Sequence, residues 1–259
     1  MERSDGVLVP VTGLSSLVAY PGEVYDRFVL RRGQVPTSSM ISGELEHLAR
    51  QLLVGRLWKV YLSTQEGGDL RVAFESIEAA LHEASRVCER KYLGLFAEAR
   101  NSIFEITNRL RIEEDVRMVA ATSLLRDGVT GFELVRRLLP QRVEVTLESR
   151  KLGLVGRVDA VGERNGVQFP IEYKTGREPS ALLAKSHEIQ VAAYSMLLEE
   201  ESGNACNFGE VHYTRYLQVR PVAVNVSARR EVLKLRARFL KICGAAALHE
   251  VPTMEVAHV

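Results

Sequence analysis

At Pro140 the hydrophobic period of the chain changes from that of a helix to that of a strand, and this switch constrains the fold more than any other feature. Upstream, Met40, Leu45, Leu48, Leu52 and Leu53 recur at three- and four-residue steps, which predicts an amphipathic helix from about Ser38 to Leu62, ended by Gly67-Gly68. Leu70, Phe74, Ile77, Leu81 and Ala84 give one further stripe, and Val116, Val119, Leu124, Leu125, Phe132, Val135 and Leu138 give others, so residues 69–139 read as a helical subdomain. A short apolar run at Val7 to Val11 and a helix near Ser15 to Leu30 precede these elements.

Downstream, Val143, Val145 and Leu147 alternate with Glu144, Thr146 and Glu148, as in a half-buried strand. Gly156 to Val161 and Val167 to Tyr173 flank Asn165-Gly166, a pair suited to the type I′ turn of a tight hairpin because both positions need positive φ. A helix over Ser186 to Glu201, strands over Glu210 to Leu217 and Val222 to Val226, and a basic helix from Ser227, its cap, to about Ala247 complete the pattern. The expected class is α/β (α+β): a single domain over 1–259, with a sheet and its helix in 141–226 and a basic C-terminal helix at 227–248.

A chain of 259 residues buries enough surface to fold without a metal or disulfide staple, so a metal here would serve chemistry. With 34 basic against 33 acidic side chains, net charge supplies no general drive toward nucleic acid or membrane, and any polyanion must be met by locally gathered cations. Cys88, Cys206 and Cys243 stand far apart with no Cys-x-x-Cys pair. The start, Met1-Glu2-Arg3-Ser4-Asp5, lacks the features of a signal peptide, and no apolar run approaches the length of a membrane span; the expectation is a soluble protein of the reducing cytoplasm with no membrane partner.

The chemistry concentrates in Gly156-Arg157-Val158-Asp159 and, thirteen residues on, Glu172-Tyr173-Lys174. Asp159 lies within Val158, Ala160 and Val161, where an ionised carboxylate is costly unless compensated, and a divalent cation would compensate it. Glu172 and Lys174 project from one face of their strand while Tyr173 points to the other. Two carboxylates and an ammonium suit phosphodiester hydrolysis: oxygen ligands hold magnesium or manganese, the cation activates water and offsets phosphorane charge, and the lysine orients water or neutralises the oxyanion. The plainer alternative is a cross-strand Glu172–Lys174 ion pair on a wet face. On the following helix Gln190 and Tyr194 sit one turn apart over the strand ends.

Gly-Arg-Val-Asp, Ile-Glu-Tyr-Lys-Thr-Gly and Gln-x-x-x-Tyr, in this order, resemble the motifs of the RecB-like branch of the PD-(D/E)XK nuclease superfamily. The stretch from Val143 to Tyr213 more closely resembles the Cas-four family of CRISPR-associated exonucleases. The resemblance implies a restriction-endonuclease-like core, a central mixed sheet flanked by helices. It implies Asp159 and Glu172 as metal-binding acids, the Tyr173 carbonyl as a further ligand, Lys174 as the catalytic lysine, and Gln190 and Tyr194 as the substrate-side pair. It also implies a metal-ligating histidine on an upstream helix. His47, in Ser42-Gly43-Glu44-Leu45-Glu46-His47, has the matching Gly-x-x-x-His context, and a neutral imidazole among oxygens suits manganese as readily as magnesium. Read without that context, His47 is a surface or helix-packing histidine.

The family commonly carries an iron–sulfur cluster; here Tyr20-Pro21 stands in place of its N-terminal cysteine-proline and Val251 to Val259 hold no cysteine, so a cluster-free variant is expected. The function implied is a DNA exonuclease acting on single strands or frayed ends before spacer integration, with the helical block as a cover and the CRISPR integrase as a partner. A stand-alone RecB-like nuclease of repair, replication or a mobile element is the alternative, and a non-catalytic DNA-binding assembly subunit a second one.

Weaker signals remain. Arg230, Lys234, Arg238 and Lys241 fall on one face of the last helix, as a phosphate-tracking row or a solvated face. His187-Glu188 either approaches the metal or, for Glu188, favours the helix dipole; Glu144 and Glu148, on the side of Thr146, either add a metal carboxylate or face solvent. Trp58, Tyr213 and Tyr216 stack on bases or belong to the core.

Overall fold

The computed structural model describes residues 7–33, 35–176 and 179–244. Its helices are α1 (Val11–Ala19), α2 (Val24–Phe28), α3 (Ser38–Ser63), α4 (Val72–Tyr92), α5 (Phe96–Ala99), α6 (Ile103–Arg126), α7 (Gly131–Leu138), α8 (Ala181–Ser202) and α9 (Val226–Cys243). The strands are β1 (Val9–Pro10), β2 (Arg142–Ser149), β3 (Leu154–Arg164), β4 (Val167–Lys174), β5 (Phe208–Tyr213) and β6 (Gln218–Ala223). They form one mixed sheet in which β2, β4 and β6 run antiparallel to the neighbours β3, β3 and β5, and β1 with β3 and β4 with β5 are parallel. Helices flank this sheet, the architecture expected of the restriction-endonuclease-like core.

Two apolar cores hold the layers together. Leu147, Leu154 and Val158 of the sheet pack with Leu14 and Leu17 of α1, Ala193 and Leu197 of α8 and Phe239 of α9. The second core lies within the helical block and takes Ile41, Leu45, Ala49, Leu53 and Leu57 of α3 together with residues of α4 to α7. A smaller cluster, Ala160, Phe169 and Ile171, lies on the other face of the sheet from α8.

Several boundaries differ from the sequence reading for identifiable reasons. The helix expected over Ser15 to Leu30 is broken at Tyr20-Pro21 into α1 and α2, Pro21 having no N–H to continue the first. The strand expected to reach Leu217 ends at Tyr213, where a single tight turn leads to Leu217 at φ = 50°. The last strand lies at Gln218–Ala223, earlier than expected. Asn225, not Ser227, caps α9 by accepting the Ala228 N–H, and the expected continuation past Gly244 lies outside the described residues. Met40, Val116, Val119 and Phe132, read as core, are exposed. On α6 the inward row is Ile106, Leu110, Glu114 and Ala121, so an acid accepting the Tyr61 hydroxyl at 2.7 Å takes the place expected for a valine. The Asn165-Gly166 turn forms as predicted, with φ of 54° and 79° and Arg164 paired to Val167. No helix among the described residues is long and apolar enough to cross a membrane.

Candidate active site

The site lies where β3 and β4 part. Leu154 and Val155 pair with β1, and Ala160 to Arg164 pair with β4, both on the edge of β3 away from β2. Between those stretches Gly156 to Asp159 have no strand partner on that edge, so backbone groups there need others. The Tyr194 hydroxyl donates to the Arg157 carbonyl at 2.7 Å, and the Tyr173 N–H donates to Asp159 Oδ2 at 2.7 Å. Gly156 makes the first contact feasible: a Cβ there would meet Tyr194 Cε1 at 2.7 Å and Val11 Cγ2 at 2.9 Å.

Glu172 and Lys174 share a face of β4, as their spacing requires, and that face meets α8. Lys174 Nζ donates to Glu172 Oε1 at 2.7 Å and to Gln190 Oε1 at 3.0 Å, while Gln190 Nε2 donates to the same Glu172 oxygen at 2.7 Å. The other oxygen, Glu172 Oε2, is buried with no hydrogen-bond partner. Burial first, then the Asp159 charge, push the Glu172 carboxyl up to about 7 against the opposing pull of Lys174. Ser180 caps α8 by accepting the Leu183 N–H, which starts the helix early enough to set Gln190 and Tyr194 over the strand ends.

His47 comes to Asp159 from α3, with Nδ1 3.4 Å from Oδ1. The Gly-x-x-x-His spacing has a steric reason: a Cβ at Gly43, one turn before His47, would stand 2.9 Å from Thr175 Oγ1 just after β4. Burial pulls the His47 pKa down, but the Asp159 hydrogen bond and the charges of Asp159, Glu172 and Glu144 outweigh it and leave it raised.

Glu144 corrects the sequence reading. It does not lie with Thr146 and Glu148, which are exposed; its side chain is 15% exposed and pairs with Arg157 at 2.6 Å. The β2–β3 ladder keeps one register from Arg142↔Val161 to Ser149↔Leu154 but skips Glu144 and Asp159, and Glu144 takes φ = 53°. Face alternation shifts there. Val145 and Val158 pack toward α8, whereas Val143 and Ala160, of the same parity, pack in the cluster with Phe169 and Ile171. Ligand atoms of His47, Glu144 and Asp159 consequently lie within 4.8 Å of one another.

Arg50 was not singled out by the sequence. It bonds Glu46 at 3.0 Å and Glu113 at 2.7 Å, and stacks 5.0 Å over the Tyr173 ring, tying α3 and α6 to the back of the motif strand. Its signal is the spacing Glu46, His47, Arg50 on one helix, legible only once Tyr173 is known to face that helix. The remaining expectations resolve by placement. Gln190 is 5% exposed and Tyr194 1%, both turned inward onto Glu172, Lys174 and the Arg157 carbonyl rather than outward. The Tyr173 ring lies on the opposite side from Glu172, between Arg50 and His212.

Arg230, Lys234, Arg238 and Lys241 line the exposed face of α9, which packs on α1 and α8. His187 does not approach Asp159: its Nδ1 lies 3.1 Å from the Tyr213 hydroxyl, and burial and Lys174 push its pKa down to about 3. Trp58 donates to the Pro140 carbonyl at 3.0 Å, Tyr213 is buried, and Tyr216 is exposed. Cys88, Cys206 and Cys243 are buried in three different apolar clusters.

The donor set, carboxylates with one imidazole, fits a hard divalent cation, and the orphaned Glu172 Oε2 is an acceptor that such a cation would satisfy. Comparison with known proteins agrees. A 92-residue stretch is 32% identical to the CRISPR-associated exonuclease Cas4/endonuclease Cas1 fusion of Leptospira interrogans serogroup Icterohaemorrhagiae serovar Lai (strain 56601), covering 33% of this chain and 17% of that protein. The DNA replication ATP-dependent helicase/nuclease DNA2 of Homo sapiens is 32% identical over 105 residues, 38% of this chain and 10% of that protein. Its Mus musculus counterpart is 25% identical over 236 residues, 85% of this chain and 21% of that protein. The chain thus spans about a fifth or less of the length of these relatives. The profile of the PD-(D/E)XK nuclease superfamily matches residues 28–256, nearly the whole chain, and the protein belongs to that superfamily.

Proposed function

We propose that this chain is a magnesium- or manganese-dependent deoxyribonuclease that hydrolyses phosphodiester bonds from DNA ends, on single strands or frayed ends. The observation that carries the reading is a pair of motif carboxylates fixed by the protein, Asp159 by the Tyr173 N–H and Glu172 Oε1 by Lys174, with Glu172 Oε2 buried and left without a protein partner. A bound divalent cation supplies Lewis-acid activation of water and offsets charge on the pentavalent phosphorus. Asp159, Glu172 and His47, with the Tyr173 carbonyl, are the residues that would hold it.

Lys174 has three N–H donors and spends two on Glu172 and Gln190; the third serves the attacking water or a phosphate oxygen. Gln190 positions both Lys174 and Glu172, and Tyr194 holds open the edge of β3. Arg230, Lys234 and Arg238 follow the phosphate backbone away from the reacting bond. Resemblance to the Cas4/Cas1 fusion favours a setting in which DNA is trimmed before spacer integration, with the integrase as partner. The breadth of the match to the mouse helicase/nuclease, 236 residues, favours the second reading, a nuclease of replication or repair.

The test is cleavage of end-labelled single- and double-stranded DNA by the purified protein beside Asp159→Ala, with magnesium, manganese or EDTA. Metal-dependent products that shorten from one end, made only by the unsubstituted protein, are expected. Tight DNA binding with no cleavage under any condition would replace the nuclease reading with that of an assembly subunit. Co-purification with the integrase, or with a helicase, separates the two settings.

A further inference from the structure

We propose that Glu144 of β2 is a further ligand of the divalent cation, so that His47, Glu144 and Asp159 form one cradle. The inference rests on the metal-dependent reading above and adds a ligand that none of the sequence motifs contains.

Register puts two acids abreast across the sheet. The pairs Val143↔Ala160 and Val145↔Val158 set Glu144 opposite Asp159, and on the other edge, where the ladder ends at Ala160↔Ile171, the Asp159 side chain accepts the N–H of Tyr173, the residue after Glu172. Carboxylates placed this way repel one another, and a regular pleat would turn Glu144 to the exposed side with Thr146 and Glu148. Instead the strand bends to bring it in. The ladder skips only this pair, Glu144 takes φ = 53°, and the face shift turns its side chain to within 4.8 Å of a His47 nitrogen and an Asp159 oxygen. Ligands of one small cation at about 2.1–2.2 Å stand at most about 4.4 Å apart, so the three need only close slightly on the ion.

An independent observation points to a cation: Glu172, with its side chain 5% exposed, keeps Oε2 unpartnered. Among the described residues neither Lys174 nor Arg157 reaches that oxygen. Lys174 is spent on Glu172 Oε1, and Arg157, half exposed, reaches only Glu144 Oε2. Arg157 therefore competes with the cation for Glu144 Oε2.

The test reads metal binding without DNA. Manganese is titrated by calorimetry and by electron paramagnetic resonance into the full chain, into Glu144→Gln, into Arg157→Ala and into Asp159→Asn. Glu144→Gln is expected to weaken manganese binding at least about tenfold, and Arg157→Ala, by removing the competing guanidinium, to tighten it severalfold. Unchanged affinity in Glu144→Gln together with lost binding in Asp159→Asn would overturn the proposal and leave the metal-dependent reading standing. Unchanged affinity in Asp159→Asn would remove that reading itself. Should circular dichroism show Glu144→Gln unfolded, Arg157→Ala decides alone: affinity equal to or below that of the unsubstituted protein refutes the cradle.

Discussion

Glu172→Gln offers the sharpest check on the electrostatics of the site, because it separates a buried, repelled carboxylate from a merely buried side chain. Burial and Asp159 raise the Glu172 carboxyl from 4.5 to about 7. An acid whose pKa is higher in the folded state stabilises the protein below its unfolded value and loses that contribution as pH rises through the folded one. The window here is therefore pH 4.5 to 7, and the whole span corresponds to about 3 kcal/mol. Glutamine keeps the shape of the protonated acid and does not titrate. In urea unfolding with EDTA, the unsubstituted protein should lose about 2–3 kcal/mol relative to the variant between pH 5 and pH 8. His187 titrates in both proteins and cancels. His47, also raised, loses part of its shift when the Glu172 charge is gone, which adds in the same direction. Saturating manganese at pH 8 should restore the lost stability to the unsubstituted protein, about 3 kcal/mol at a hundred times the dissociation constant, and less to the variant. Parallel stability curves for the two proteins from pH 5 to pH 8 would refute the reasoning, because they would mean that the carboxylate is ionised at no cost.

Lys174→Ala is expected to lower DNA cleavage by at least about a hundredfold while the protein still binds manganese in calorimetry, and retained cleavage would remove the role given to the ammonium. Gly156→Ala should cost about 1–3 kcal/mol in thermal or urea unfolding, since its Cβ meets the packed Tyr194 ring and Val11 rather than a movable side-chain end; an unchanged midpoint would contradict that packing. His187, a base depressed to about 3, contributes stability above pH 6.5 that is lost as pH falls toward 3. His187→Gln should therefore be spared about 2–3 kcal/mol of the loss that the unsubstituted protein suffers between pH 6.5 and pH 4.5, and equal acid sensitivity of the two would count against a neutral buried imidazole.

The parts of this fold set by local rules were legible in the sequence. Asn165-Gly166 specified the turn, the turn fixed the register of β3 against β4, and the register brought Asp159 to Glu172. Two-residue spacing placed Lys174 beside Glu172 and turned Tyr173 away. What escaped were features that depend on packing between distant segments. Glu144 followed the alternation of its strand on paper, but alternation assumes a regular pleat, and the pleat shifts at that residue and its partner Asp159. Arg50 looked like one more helix cation until the back of β4 was seen to rest on it. Glu114 was passed over for valines because a buried acid is legible only through its partner, the hydroxyl of Tyr61 fifty-three residues away. Gln190 and Tyr194 were expected to face the substrate, and their inward turn follows from α8 lying flat on the opened strand pair.

That opening explains why the motif residues are of these types. A continuous β1–β3–β4 edge would use the Arg157 carbonyl and the Tyr173 N–H in its ladder and leave no gap for a cation. Parting the strands frees one acceptor and one donor, and a buried group left unpaired costs about 1–3 kcal/mol. The chain answers each with a motif residue: the Tyr194 hydroxyl satisfies the carbonyl, and the Asp159 carboxylate satisfies the N–H while being fixed by it. Asp159 is short enough to bond the neighbouring backbone and still present its second oxygen, 3.4 Å from His47 Nδ1. Glutamine at position 190 is an acceptor and a donor at once, so it can hold an ammonium and a carboxylate together, which neither a lysine nor a glutamate there would do. The same residues that repair the broken ladder thus aim the carboxylates, which ties the geometry of the site to the stability of the sheet.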